Sequence, residues 1–489
     1  MSSGRTMIHG AVLSIAGMAV SMAAVLVIGK VLTNSLPQHD VGTFTLLILG
    51  ADLLLILNNF GLYTALPKLV SAAREEERPG LITSVLGVQA LISLALGGAL
   101  LVAWMAAGDP ARYAANPNWR HLFPYLWALA PLMLFATQRD SAMGATAGLN
   151  RYAHRAAAIG VASIVQMFLV SLLLWGLGLG LNALLIGTIL SYAVGAAASF
   201  AGLPRLRLAD VQWRRYRDAV RFSWPLHWNN LLSFTTQRLD SLLLFWLLDP
   251  AIAAGAVATY EMAKRVPGAI SRLLSAALVP YLPGISERIA QGDREGAARL
   301  LHRTLSLVAF LSYCGVLALL AVEQPVIRLL FSEDYLPMTA VLWALLAGTC
   351  LAVQSGIVGL SIVALGRPGA MTLLNIATAS VSVLGNLLLL PHYGMAGAGW
   401  AYVVAVGFGA VTQSAYVLYL GLAVPLRALI LPQVFLAAAL ALRWWYDATL
   451  WSGAAALALF VALSLGTGVM RPKEFRELAR AMRPRTRGG

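Results

Sequence analysis

Charge is what this sequence has least of. Asp, Glu, Lys and Arg make up only 11% of its 489 residues, while 59% are hydrophobic. Ordinary globular chains carry about a quarter charged residues. So little polar surface cannot wrap a soluble globule of this size, and a domain count from length does not apply. Cysteine is as scarce: Cys314 and Cys350 both lie in apolar stretches, which excludes a disulfide framework. No G-x-x-x-x-G-K-[ST] stretch is present, so the chain holds no nucleotide-driven motor of that kind. The seven histidines are scattered and never take H-E-x-x-H or another metal spacing. No metal, no cofactor and no catalytic residue is expected, and the chain does not read as an enzyme.

What is present instead is a series of apolar windows of about 20 residues, the length that crosses a bilayer. Cut at charges and at Gly/Pro clusters, they number fourteen: 8–29, 41–66, 81–107, 122–147, 156–179, 182–203, 222–248, 251–282, 304–322, 337–364, 369–390, 395–420, 427–446 and 451–470. The expected fold class is therefore all-α, a polytopic membrane protein of about fourteen transmembrane helices. The closest-spaced boundaries fall at Gly176–Asn182 and at Pro391–Gly394.

The net charge of +14 does not point to nucleic acid. With the N-terminus placed in the cytoplasm, inner segments hold twenty-five Lys and Arg and outer loops hold five, Lys30, Arg112, Arg120, Arg328 and Arg443. That asymmetry predicts both termini on the cytoplasmic side. Six of the inner arginines lie in 204–221, a basic linker, and seven cations follow Met470. In that tail, Phe475, Leu478 and Met482 have helical spacing, which predicts a short amphipathic helix on anionic membrane lipids.

The other five cations, Arg139, Arg238, Lys264, Arg265 and Arg272, fall inside spans, together with four acids, Asp52, Asp140, Asp240 and Glu261. Charges at membrane depth are costly and usually face a bundle interior or a wet cavity. At about 100° per residue, Glu261, Arg265 and Arg272 share one face of the eighth span, with Lys264 beside them and Pro267 within. An internal Glu261–Arg265 pair would leave two cations over. Arg238 and Asp240 lie about 200° apart, so one of them faces a neighbouring helix, and Arg238 is the cavity choice. Arg139 is balanced between a cavity role and a structural pair with Asp140. Thr45, Asp52, Asn59 and Tyr63 form a polar line on the second span. A cationic surplus suits an anion such as phosphate. Asp52, Asp240 and Glu261 remain candidates for ion coupling or for plain counter-ions.

Weak internal similarity runs along the chain. Val41-Gly-Thr-Phe resembles Ala254-Gly-Ala-Val at an offset of 213, which places Asp52 opposite Arg265. Gly148-Leu-Asn-Arg151 with Gly178-Leu-Gly-Leu likewise resembles Leu365-Gly-Arg367 with Tyr393-Gly-Met-Ala-Gly-Ala. Each pair sits six spans apart, which implies parallel repeats related by an axis along the membrane normal.

Leu32 to Tyr63 with its V-G-x-F and N-F-G-L-Y elements, Arg238-Leu-Asp-Ser-Leu-Leu-Leu, Ala258-Thr-Tyr-Glu-Met-Ala-Lys-Arg, Phe331-Ser-Glu-Asp-Tyr and L-L-L-P-H-Y-G-M-A-G-A-G within Leu387 to Trp400 carry a resemblance. The chain resembles the Wzx-type lipid-linked oligosaccharide flippases, the polysaccharide transporter branch of the multidrug/oligosaccharidyl-lipid/polysaccharide exporter superfamily. The resemblance implies two six-helix lobes around a central cavity: 1–203 as the first lobe, 204–221 as linker, 222–420 as the second lobe, 421–470 as two extra helices and 471–489 as tail. It implies alternating access for an undecaprenyl-pyrophosphate-linked glycan moving between leaflets of a bacterial inner membrane, in O-antigen, capsule or exopolysaccharide synthesis. Arg238, Lys264, Arg265 and Arg272 then fall on the charged cavity helices. A polysaccharide polymerase or other assembly proteins are the implied partners. The first span lacks the cations usual in the lipid II branch, which argues against a peptidoglycan precursor. An ion-coupled multidrug exporter and a non-transporting scaffold stay open as alternatives.

Overall fold

The computed structural model describes residues 2–108, 121–277, 281–445 and 450–469; the tail expected to lie on the membrane falls outside the described residues. Among the described residues the regular structure is helical throughout. The first half holds α1 (Ser2–Ser35), α2 (Gln38–Asn59), α3 (Leu62–Ala72), α4 (Arg78–Ala107), α5 (Leu129–Gly148), α6 (Tyr152–Ser171), α7 (Leu181–Ala201) and α8 (Trp213–Leu247). Then follow α9 (Pro250–Ala277), α10 (Tyr281–Ala290), α11 (Arg294–Ala321), α12 (Glu323–Leu330), α13 (Thr339–Ala364), α14 (Pro368–Tyr419), α15 (Leu426–Trp445) and α16 (Leu450–Gly466).

Seven of these helices are long and apolar enough to cross a membrane by length and composition: α2, α4, α6 with its following π turn, α7, α11, α13 with its preceding 3-10 turn, and α14. The helices α5, α8 and α9 are not among them, and they carry all the charges expected within spans except Asp52, which lies on α2. The protein is a multi-pass, all-α membrane protein. Backbone groups in lipid have no water to bond, so helices that satisfy themselves internally are the structure an apolar chain of this kind can adopt.

The second expected span, 41–66, is not one helix. It breaks between α2 and α3, where Phe60 (φ 51°) and Gly61 (φ 77°) are both left-handed. A Cβ on Gly61 would run into the backbone of Ser223 and His227, so only glycine fits this crossing. The break also ends the single polar line expected on that span. Asn59 is fully buried toward α4 and α5, while Tyr63 is exposed on α3.

The repeats seen in the sequence recur in backbone geometry. Gly180 (φ 55°, ψ −133°) opens α7, and Gly394 (φ 56°, ψ −134°) interrupts α14, making two helices of what is otherwise one run. The turn after α5 places Asn150 at φ 59°, and the turn after α13 places Gly366 at φ 76°. Both turns are closed the same way, by Arg151 N–H on Thr146 O at 2.9 Å and by Arg367 N–H on Ile362 O at 3.1 Å. This is the six-to-one closure of a helix C-terminus.

The chain divides into two compact units, 1–261 with 329–335, and 262–328 with 336–489. In the first, Leu62, Leu66, Ile82, Val85, Ala142 and Ala219 join α3, α4, α5 and α8 in one apolar cluster. Apolar burial does not draw helices together in lipid, so close backbone approach matters more there. Gly144 and Gly148 of α5 provide it: side chains at either would strike the α3 backbone. Gly42 is similarly pressed on the Ala254 carbonyl, and Lys30 Nζ and Gln38 Nε2 each donate 2.6 Å bonds to the Phe331 and Asp334 carbonyls. In the second unit Ile285, Leu301, Leu305, Ile357, Ile362 and Leu429 form the core. Tyr281 Oη and Ser361 Oγ share a buried bond of 2.7 Å there.

Candidate functional site

The first unit contains an open pocket of about 260 Å³, lined by residues of α2, α3, α5 and α8. Three charged side chains line it, Asp52, Asp140 and Arg238, beside the apolar Leu55, Ile56 and Phe234. The remaining lining is neutral and polar: Tyr63, Asn230, Ser233 and Gln237. On α8 the lining residues follow three- and four-residue steps, Asn230 to Ser233 to Gln237 and Asn230 to Phe234 to Arg238, which keeps them on one side of the helix.

Arg238 is 42% exposed at the side chain and reaches back from α8 to Glu261 on α9, Nη1 to Oε2 at 3.1 Å. Glu261 is buried and also accepts from the Ser241 hydroxyl. Asp240, on the other side of α8, accepts from Tyr260 Oη at 2.6 Å and from the Ser241 N–H at 2.8 Å. Five charged or hydroxyl groups, Arg238, Asp240, Ser241, Tyr260 and Glu261, thus tie α8 to α9. Burying a carboxylate at membrane depth requires such donors.

Arg139 does not line the pocket. Its Nε donates to Asp140 Oδ1 at 2.8 Å, and its guanidinium sits 4.1 Å from the centre of the Tyr192 ring. A cation over an aromatic face and against a carboxylate is well placed as a structural element. Its neighbour Asp140 turns to the pocket instead.

Lys264 and Arg265 are half-buried on the part of α9 that belongs to the second unit; the helix continues past Arg272, whose side chain lies outside the described residues. The intramembrane charges are consequently sorted by unit. The first holds Asp52, Asp140, Asp240 and Glu261 with Arg139 and Arg238, and the second holds Lys264, Arg265 and Arg272.

Next to the pocket-lining residues Leu55, Ile56 and Asp140 in sequence lies a buried polar core. Asn58 Nδ2 donates to Ser93 Oγ at 2.6 Å and to Thr137 Oγ1 at 3.0 Å. Asn59 Nδ2 donates to Ser141 Oγ at 3.0 Å, and Ser141 Oγ donates in turn to Gln89 Oε1 at 2.7 Å. All six residues are buried. Sequence reasoning missed this core and the pocket's neutral wall. The signal for the wall was present in the polar residues at 230, 233 and 237, spaced along an otherwise membrane-length window. Among the described residues no group of three or more His, Cys, Asp or Glu is arranged to hold a metal ion.

Several known proteins are similar to this chain in sequence or in fold. A probable lipid II flippase MurJ of Rhizobium meliloti (strain 1021) is 26% identical over 247 residues, 48% of this chain and 43% of that protein's length. The chain thus spans under half of that relative. A solved structure of the lipid II flippase MurJ in an inward closed conformation superposes with a TM-score of 0.72 at 13% identity, covering 97% of this chain and all of that one. An inward-facing multidrug resistance MATE family transporter of the MOP superfamily gives a TM-score of 0.65 at 16% identity, over 84% and 99% of the two chains. At such identities these structures establish the fold alone, an all-helical one shared with both proteins. Residues 31–340 match the profile of a family described as "Polysaccharide biosynthesis protein". On that match, which spans well over half of the sequence, the chain belongs to the polysaccharide biosynthesis protein family.

Proposed function

We propose that the protein is a flippase that moves a polyprenyl-pyrophosphate-linked glycan from the inner to the outer leaflet of a bacterial cytoplasmic membrane, both termini facing the cytoplasm. The observation that carries this reading is Arg238. It is a guanidinium open to a pocket, held from behind by the more buried carboxylate of Glu261. A phosphate entering the pocket can take the bidentate place that Glu261 does not fill, and strong charge-assisted bonds form without a new desolvated cation. Lys264, Arg265 and Arg272, three, four and eleven residues beyond Glu261, would engage the remaining phosphate charge or acidic sugars. Asp52 and Glu261 are the groups through which protons, sodium or the membrane potential would reset the empty carrier. The cargo on this reading is an O-antigen, capsule or exopolysaccharide unit, supplied to a polymerase on the far side.

The test is a mass-spectrometric profile of polyprenyl-linked sugars in the host after depletion of the protein. Build-up of one pyrophosphate-linked glycan supports the reading and names the glycan, and cells carrying only Arg238→Ala should show the same build-up. A second reading, an ion-coupled exporter of cationic compounds, draws on the two carboxylates, Asp52 and Asp140, that share the pocket. It requires normal lipid-linked pools, sensitivity to cationic dyes on depletion, and loss of resistance in Asp52→Asn but not in Arg238→Ala.

A further inference from the structure

The N-F-G-L-Y motif, residues 59–63, carries no charge, yet its turn is bonded to three neighbouring helices. Phe60 holds a left-handed conformation that costs a non-glycine residue about 1 kcal/mol or more. Three neighbouring helices secure it. Gln89 Nε2 of α4 donates to Asn59 O at 3.3 Å, Asn59 Nδ2 donates to Ser141 Oγ of α5 at 3.0 Å, and Ser223 Oγ of α8 donates to Phe60 O at 2.7 Å. Within the motif, Asn59 Oδ1 accepts the Tyr63 N–H at 2.8 Å, which fixes the first turn of α3. The outcome of these bonds is one placement: the Tyr63 side chain, 37% exposed, stands in the pocket opposite α8.

What Tyr63 meets there is uncharged. Its hydroxyl donates to Asn230 Oδ1 at 3.3 Å, and Asn230 Nδ2 donates to Thr64 Oγ1 at 3.3 Å. One turn further along α8, Gln237 Nε2 donates to Ser233 Oγ at 2.7 Å. Hydroxyls and amides can each donate and accept, whereas a phosphate offers acceptors alone and is matched by a cation such as Arg238 rather than by these neutral groups. Sugar hydroxyls match this set, because each is both donor and acceptor. At about 260 Å³ the pocket is below the roughly 300–1,000 Å³ of sites that take a whole drug-sized ligand. It accommodates part of a glycan at a time.

We infer that Tyr63, Asn230, Ser233 and Gln237 form a sugar-reading wall, with the 59–63 turn as the positioning element that presents Tyr63 to it. The inference rests on the carrier reading above and extends it by separating two recognition tasks. Arg238 holds phosphate, and the neutral wall discriminates a sugar-bearing carrier from a bare one. A site built to bond a hydroxyl rejects a ligand lacking it far better than an apolar pocket rejects a missing methylene.

The experiment is a competition followed by native mass spectrometry. The purified full-length protein in detergent is offered undecaprenyl diphosphate together with the sugar-bearing undecaprenyl diphosphates extracted from its host. The wild type should retain the sugar-bearing forms preferentially. Tyr63→Phe and Asn230→Ala should each lower that preference about tenfold, the equivalent of one lost hydrogen bond, with binding of bare undecaprenyl diphosphate unchanged. Tyr63→Phe keeps the ring, and an unaltered melting temperature confirms that the fold is intact. An unchanged preference in both variants overturns the wall, as does an equal loss of both carriers or a wild type that binds them equally. A wild type that retains neither carrier overturns the carrier reading itself, and the wall with it.

Discussion

Helices α5 and α13 occupy matching positions in the two halves of the sequence, and their middles differ in one respect. At an offset of 216, Gln138 corresponds to Gln354, and both are buried. The next two residues are Arg139 and Asp140 in α5 but Ser355 and Gly356 in α13. The packing around them is nonetheless the same. Gly195 of α7 lies against Arg139 and Ala162, and Gly409 of α14 lies against Ser355 and Thr378, positions that correspond at offsets of 214 to 216. Where α5 makes a 2.8 Å ion pair, α13 makes a neutral bond of 2.9 Å from Ser355 Oγ to Gln413 Oε1. The helix contacts are therefore shared by both copies, while charge at this level belongs to the first copy alone. Scaffold and chemistry have been separated within one repeated design.

The comparison breaks most visibly if the ion pair is dismantled one side at a time. Arg139→Ser leaves Asp140 without its cation at membrane depth and should cost about 3 kcal/mol. Adding Asp140→Gly, which installs the α13 residues in α5, should recover most of that loss. Thermal unfolding in detergent measures both, and a double variant as unstable as the single one would mean that α5 cannot tolerate the neutral solution. Next in size, Gly195→Val and Gly409→Val should each cost about 2 kcal/mol by overpacking. Similar losses would sharpen the claim of a shared scaffold; a loss at Gly195 alone would tie that packing to the arginine. Ser355→Ala removes one buried bond and should cost about 1 kcal/mol, read by the same melts.

An effect no larger, and of opposite sign, is expected away from the pair, in the basic segment ahead of the pocket. Tyr216 is buried with no hydrogen-bond partner for its hydroxyl among the described residues, and burial pushes that hydroxyl up to about 12, so it stays neutral at physiological pH. Tyr216→Phe removes the unsatisfied group and should stabilise the first unit by about 1 kcal/mol. A fall in melting temperature would show that the hydroxyl has a partner.

The sequence made the helices legible because apolar length alone specifies them, and it made the repeat legible through turns such as Leu365-Gly-Arg367. The intramembrane charges also stood out, since few residues of that kind occur in apolar windows. Their partners did not. Glu261 has Arg265 one turn along its own helix, but Arg238 reaches it from twenty-three positions away, a contact that helical periodicity cannot express. The break at Phe60–Gly61 was hidden for a related reason. Local pattern favours continuing the span, and the turn is held by Gln89, Ser141 and Ser223 from three other helices. Tyr63 and Asn59 consequently read as neighbours on one face, although they face different surroundings.

The grip that Lys30 and Gln38 exert on residues 331 and 334 falls on carbonyl oxygens rather than side chains. Every amino acid brings the same carbonyl. Mutational drift through Ser332, Glu333 and Asp334 should thus be tolerated as long as the backbone path is kept, whereas the two gripping residues have no such freedom. Among homologous proteins this stretch should vary in letter but not in length, and the loop would accept an epitope-sized change of composition more readily than the insertion of a single residue.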